Sequence, residues 1–234
     1  MQRLDKLLSE AGVASRKDLK AMIKAGRVTV DGQTARTPEM KVDETTARVC
    51  VDGRLVGRQR TVILMLHKPA GYVTSTDDPR DQTVMELIPD QYRYLKPVPV
   101  GRLDKETEGL LLFTNDGQLA HRLLAPRSRV WKRYYAEHEG QAGQEDVEAF
   151  AAGILLRDGE RCLPARLMPQ GPGRSLVEVC EGKYHQVRRM LASRGMPVTY
   201  LRRVSEGHLD LGDLPLGQVR EVEPWELWGE TEIL

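Results

Sequence analysis

Gly101-Arg102-Leu103-Asp104-Lys105-Glu106-Thr107-Glu108-Gly109-Leu110-Leu111-Leu112-Phe113-Thr114-Asn115-Asp116-Gly117 passes from a loop dense in charge straight into an apolar run, and leaves it through a turn. Leu110 to Phe113, bounded by glycine on one side and Asn-Asp-Gly on the other, predict a short buried strand. A loop anchored on such a rigid element can hold a polar side chain at a fixed place. Three acids crowd this loop: Asp104, Glu106 and Glu108. Their spacing alone fits a glycosidase-like carboxylate pair, a divalent-metal site or a solvated turn.

Working outward, the chain from residue 62 predicts strands at 62–66, 110–114, 133–138, 163–168 and 175–180. Helices are predicted at Gln118–Leu124, Gln144–Ala152 and Tyr184–Arg194, the last stopped by Gly195 and Pro197. Strands and helices do not alternate regularly, which excludes a doubly wound parallel sheet and favours an α+β fold on a mixed or antiparallel sheet. The head of the chain reads differently. Leu4, Leu7, Leu8 and Ala11 share one helical face, and Ser15 caps a second helix carrying Leu19, Met22 and Ile23 and closed by Gly26. Val28-Thr29-Val30 then runs into Asp31-Gly32, a tight-turn signal repeated by Val49-Cys50-Val51-Asp52-Gly53. The polar stretch Gly57-Arg58-Gln59-Arg60 reads as a linker, giving a small αα-β module at 1–58 and a larger domain at 59–234.

The 234 residues carry 35 Lys plus Arg against 34 Asp plus Glu, a near balance that conceals local asymmetry. Residues 1–60 hold 13 basic and 8 acidic side chains, and residues 181–203 hold six basic residues against Glu181 alone. The tail from 205 onward is acidic. This pattern points to a polyanion bound along part of the surface. Cys50, Cys162 and Cys180 form no CxxC pair, which excludes a disulfide framework and a conventional zinc finger. No apolar run is long enough to span a bilayer and the start has no signal-peptide pattern, so a soluble cytoplasmic protein is expected, by default a monomer.

Several spaced elements carry a family resemblance. Arg3-Leu4-Asp5-Lys6-Leu7-Leu8, Gly12, Ser15-Arg16 and Gly26-Arg27-Val28-Thr29-Val30-Asp31-Gly32 resemble the S-four domain, an RNA-binding module. Gly101-Arg102-Leu103-Asp104, Thr107-x-Gly109-Leu110 and Thr114-Asn115-Asp116-Gly117 are similar to the active-site motif of the RsuA/RluA pseudouridine synthases. Lys68-Pro69-x-Gly71, Lys132-Arg133-Tyr134 and Glu181-Gly182-Lys183-Tyr184-His185-Gln186-Val187-Arg188-Arg189-Met190 fall in the same family's order. The head, the last motif and Ser75-Thr76-Asp77-Asp78-Pro79 favour the RsuA branch and a small-subunit ribosomal RNA target.

The resemblance implies isomerisation of uridine to pseudouridine, a reaction that calls for no cofactor and no metal. It makes Asp104 the catalytic aspartate, as nucleophile or as stabiliser of a ribosyl cation-like state. Arg188 would be its cationic partner, and Tyr134 would stack on the uracil and move its proton. Arg102 would enter the space left by the extruded nucleotide. Phosphates would meet Arg3, Lys6, Arg16, Lys17, Lys20 and Arg27 on the helical module, and Lys183, His185 and Arg189 near the site. The implied partner is ribosomal RNA, free or in an assembly intermediate. The same reaction on large-subunit RNA, a non-catalytic RNA binder and a carboxylate-pair hydrolase remain alternatives.

Overall fold

A computed structural model describes residues 1–44, 46–56, 61–125 and 128–228, so the expected linker at 57–60 lies outside the described residues. Contacts divide the chain into two units, Met1–Arg60 and Thr61–Leu234.

In the first unit the order is β1 (Gln2–Arg3), α1 (Leu4–Glu10), α2 (Arg16–Lys24), β2 (Val28–Val30), β3 (Gln33–Thr34), β4 (Lys41–Val42), β5 (Val49–Val51) and β6 (Arg54–Leu55). Ser15 caps α2 as expected, its hydroxyl accepting from the Asp18 amide at 3.3 Å. Leu4, Leu8, Leu19 and Ile23 from the two helices pack on Val28, Val30, Val49 and Val51. Both Asp-Gly pairs form tight hairpins with positive φ at each residue: 50° and 83° at Asp31 and Gly32, 50° and 76° at Asp52 and Gly53. That handedness matches the twist of the strands they join.

The second unit contains β7 (Ile63–Lys68), α3 (Asp90–Arg93), β8 (Val98–Val100), β9 (Glu108–Thr114), α4 (Gly117–Leu124) and β10 (Lys132–His138). It continues through α5 (Gln144–Ala152), β11 (Arg166–Pro169), β12 (Arg174–Val179), α6 (Gln186–Ser193), β13 (Val198–Glu206), β14 (Leu209–Asp210), β15 (Val219–Glu221) and α7 (Pro224–Trp228). A single large sheet runs β11-β12-β10-β13-β9-β7-β15, with β14 beside β13 and β8 beside β9. Among the described strand pairings of this sheet only β13–β9 is parallel, so the sheet is mixed, as the irregular alternation implied.

Strands β7 and β9 read as unbroken apolar runs because both their faces are covered. Met65, Leu110 and Leu112 enter one core while Leu64, Leu66, Leu111 and Phe113 enter another. A third core gathers α5 and α6 against β10 and β12. Two expectations are corrected. The helix predicted to begin at Tyr184 begins at Gln186, because His185 is left-handed at φ 47°. The nine-residue strand β13 was not expected at all, and it lies at the middle of the sheet.

Candidate active site

The pairing registers place Tyr134 of β10 opposite Arg203 of β13, Arg203 opposite Gly109 of β9, and Gly109 opposite Lys68 of β7. This row crosses four strands, and the Asp104 loop enters the sheet at it. Gly109 has φ 110°, and a Cβ there would sit 2.2 Å from the Arg203 carbonyl oxygen. Only glycine lets β9 and β13 approach in parallel at this point.

Lys68 is fully buried. Its ammonium donates to the carbonyls of Pro69 (3.0 Å), Asp104 (3.2 Å), Lys105 (3.1 Å) and Thr107 (2.9 Å). Burial pulls its pKa down to about 8, against the opposing pull of Glu106, Asp104 and Glu108. Thr74 fastens the other end of the loop, its hydroxyl donating to the Leu103 carbonyl at 2.8 Å and accepting from the Leu103 amide at 3.2 Å. The backbone that carries Asp104 is therefore held from below by one cation and one hydroxyl.

The Asp104 side chain is about one-third exposed, at 33%, and its Oδ1 lies 3.4 Å from His185 Nε2. The ion pair expected between Asp104 and Arg188 is not formed among the described residues. Arg188 instead reaches the Thr107 hydroxyl and the Val198 carbonyl, both at 3.5 Å. Helical geometry explains the offset: with α6 starting at Gln186, Arg188 sits on its first turn and aims along the loop, while His185 at the cap meets the carboxylate.

Tyr134 packs between two cores, and burial raises its phenol above the ordinary value near 10, with Arg203 opposing and the Asp104 charge adding to the rise. Arg203 donates from Nε to the Leu110 carbonyl at 2.7 Å and from Nη1 to the Tyr134 hydroxyl at 3.5 Å. Its Nη2 pairs with Glu206 at 3.3 Å, and Glu206 in turn faces Lys132 Nζ at 3.8 Å. Neither Arg203 nor Glu206 was foreseen. The inward alternation Leu201, Arg203, Ser205 marks a strand face that sequence reading can find, but the flanking basic residues disguised it. Tyr135 lies on the opposite strand face, edge-on to Tyr200 at 6.3 Å.

The other expected contacts separate into free and engaged charges. Arg102 is exposed, with no hydrogen bond or ion pair among the described residues. Lys183 and Arg189 were expected to offer free charge to phosphate. Lys183 pairs with Glu160 at 2.9 Å, and Arg189 with Glu160 at 3.1 Å and with Asp158, so both charges are matched inside the unit. Glu108 is also engaged, accepting from the Tyr200 hydroxyl at 2.7 Å, whereas Glu106 is exposed. In the first unit Arg3, Lys6, Arg16, Lys17 and Lys20, with Asp5, line a groove of about 450 Å³. Arg27 is not part of it and forms a forked pair with Asp52 instead.

Comparison with known proteins bears on this arrangement. Residues 62–193 match the family of RNA pseudouridylate synthases, and residues 2–46 match the S4 domain. The chain is 41% identical over 230 residues to the uncharacterized RNA pseudouridine synthase YtzG of Bacillus subtilis, covering 96% of each. It is 40% identical to ribosomal small subunit pseudouridine synthase A of Pseudomonas aeruginosa, covering 96% of this chain and 98% of that one. A crystal structure of a pseudouridylate synthase superposes with a TM-score of 0.68 at 30% identity, over 97% of this chain and 98% of that one. With an aspartate set on a braced loop, a half-buried tyrosine on the strand row that the loop enters, and this similarity along nearly its full length, the chain belongs to the RNA pseudouridylate synthase family.

Proposed function

We propose that this enzyme isomerises a uridine of small-subunit ribosomal RNA, with Asp104 acting on the sugar. The observation that carries the reading is the placement of Asp104 on a loop braced by Lys68 and Thr74, at the mouth of the row that ends in Tyr134. The carboxylate meets C1′ as nucleophile or anionic stabiliser while the bond to N1 breaks. The freed uracil turns on the Tyr134 ring, C5 bonds to C1′, the C5 proton leaves and N1 takes up a proton. Arg188, bonded into the same loop at Thr107, supplies the positive charge that keeps the carboxylate ionised once RNA displaces water. Arg102, exposed and without a partner among the described residues, occupies the gap left in the RNA stack. The basic groove of the first unit binds RNA phosphates, and His185 contacts the RNA at the site.

The small-subunit target is favoured by the 40% identity to the Pseudomonas aeruginosa small-subunit enzyme, matched over 98% of its length. Ribosomal large subunit pseudouridine synthase B of the same organism is 35% identical, and the match covers 61% of its length. The reading places the protein in the cytoplasm with ribosomal RNA or an assembly intermediate as its partner. Mapping pseudouridines in ribosomal RNA from cells with and without the protein tests it. One small-subunit site should vanish; loss of a large-subunit site would redirect the target, and an unchanged map would overturn the proposal.

A further inference from the structure

Tyr184 stands directly before the residue that touches Asp104, and its side chain is used by nothing described above. The residue is 75% exposed. It is not loose. The Tyr184 and His185 rings stack face to face, centroids 3.9 Å apart and planes 15° from parallel. The Tyr184 carbonyl accepts from Arg189 Nη1 at 3.1 Å, and Arg189 is itself tied to Glu160 and Asp158. The preceding Lys183 is pinned from both ends, its amide donating to Gln186 Oε1 at 3.0 Å and its ammonium to Glu160 at 2.9 Å. His185 adopts its left-handed φ of 47° without a glycine's freedom, which is what turns the two rings into register.

The matched charges of Lys183 and Arg189 thus build a support, and an aromatic plate stands on it. Asp104 meets the edge of the His185 ring, and Tyr184 covers one face of that ring. The exposed face of Tyr184 is a place where a flat π-system can extend the column. We propose that Tyr184 and His185 form a stacking subsite for the unpaired base of the nucleotide next to the target uridine. The ligand class is a nucleobase of single-stranded RNA, recognised by its face and therefore with little preference among the four bases. This rests on the RNA-modifying reading of the same site and adds the neighbour's position to it.

The test uses the full chain and, as probe, a 12-nucleotide single-stranded oligouridine carrying one 2-aminopurine, whose fluorescence is quenched by stacking. The unsubstituted protein should quench it. Tyr184→Ala should weaken binding about 5- to 150-fold and restore the fluorescence. Tyr184→Phe and Tyr184→Trp should retain both affinity and quenching, a rescue that a role for the hydroxyl would not give. Lys17→Ala with Lys20→Ala should lower affinity while leaving the quenching of bound probe intact. Quenching that does not depend on Tyr184, or failure of Phe and Trp to rescue, overturns the proposal. Tritium release from small-subunit ribosomal RNA labelled at uridine C5 is followed in parallel. Absence of release by the unsubstituted protein would overturn the small-subunit reading, whatever the fluorescence shows.

Discussion

A carboxamide at position 104 keeps the shape of the side chain and removes its charge and nucleophilicity. Asp104→Asn should therefore fold and bind RNA as before while isomerisation, read as tritium release, falls by roughly three orders of magnitude or more. Glu108 offers the matching control. Because its carboxylate is engaged by Tyr200, Glu108→Gln should cost less than about tenfold in rate; a loss as deep as that of Asp104→Asn would revive the carboxylate-pair reading. Lys68 adds a pH dependence whose sign follows from its surroundings. In the unfolded chain its ammonium holds a proton to about 10.5, and in the fold only to about 8. Its burial thus costs stability in full below pH 8, and that penalty is relieved as pH rises from 8 towards 10.5. The catalytic loop behaves oppositely, since deprotonation removes one of the three N–H groups and the charge that together hold the four carbonyls. The rate should fall above pH 8, and a lysine-selective NMR titration should find one side chain with a midpoint near that value.

Among the elements, β9 was legible and β13 was not, for related reasons. Leu110 to Phe113 announce a buried strand because both faces of β9 meet apolar cores. Strand β13 places Arg203 where a hydrophobe is expected, and the neighbouring arginines made the segment read as a charged surface. The arginine is stable there because Glu206 and Lys132 share its interior. Arg203→Met alone should destabilise by about 3–5 kcal/mol by stranding a buried carboxylate. Replacing Arg203, Glu206 and Lys132 together by apolar residues should recover most of that in chemical denaturation, at the expense of how Tyr134 is held. Gly109→Ala tests the strand pairing itself. A methyl 2.2 Å from a backbone oxygen cannot be absorbed by a side-chain rotation, so a loss of about 3 kcal/mol or more is expected. The start of α6 was misread by two residues because no sequence rule announces a left-handed histidine.

For the molecule as a whole, the division at residues 60 and 61 separates a basic groove from a catalytic sheet. Removing residues 1–60 should leave a folded second unit, since its three cores draw on no residue before Val62. RNA affinity should drop and the slope of log K against log salt should flatten by roughly 2–3, as expected for losing Arg16, Lys17 and Lys20, the groove cations with no ion pair among the described residues, Arg3 and Lys6 being paired to Asp5, Glu39 and Glu10. An unchanged slope would mean that the groove does not hold RNA. The parallel seam between β9 and β13 has a further consequence for how the enzyme comes into being. It joins Gly109 to Arg203, so the seam can close only when a strand made late in translation threads between two others already emerged. A nascent chain halted before Val198 would carry the aspartate but not the wall behind it, and the newborn polypeptide stays inert until that last inner strand leaves the ribosome.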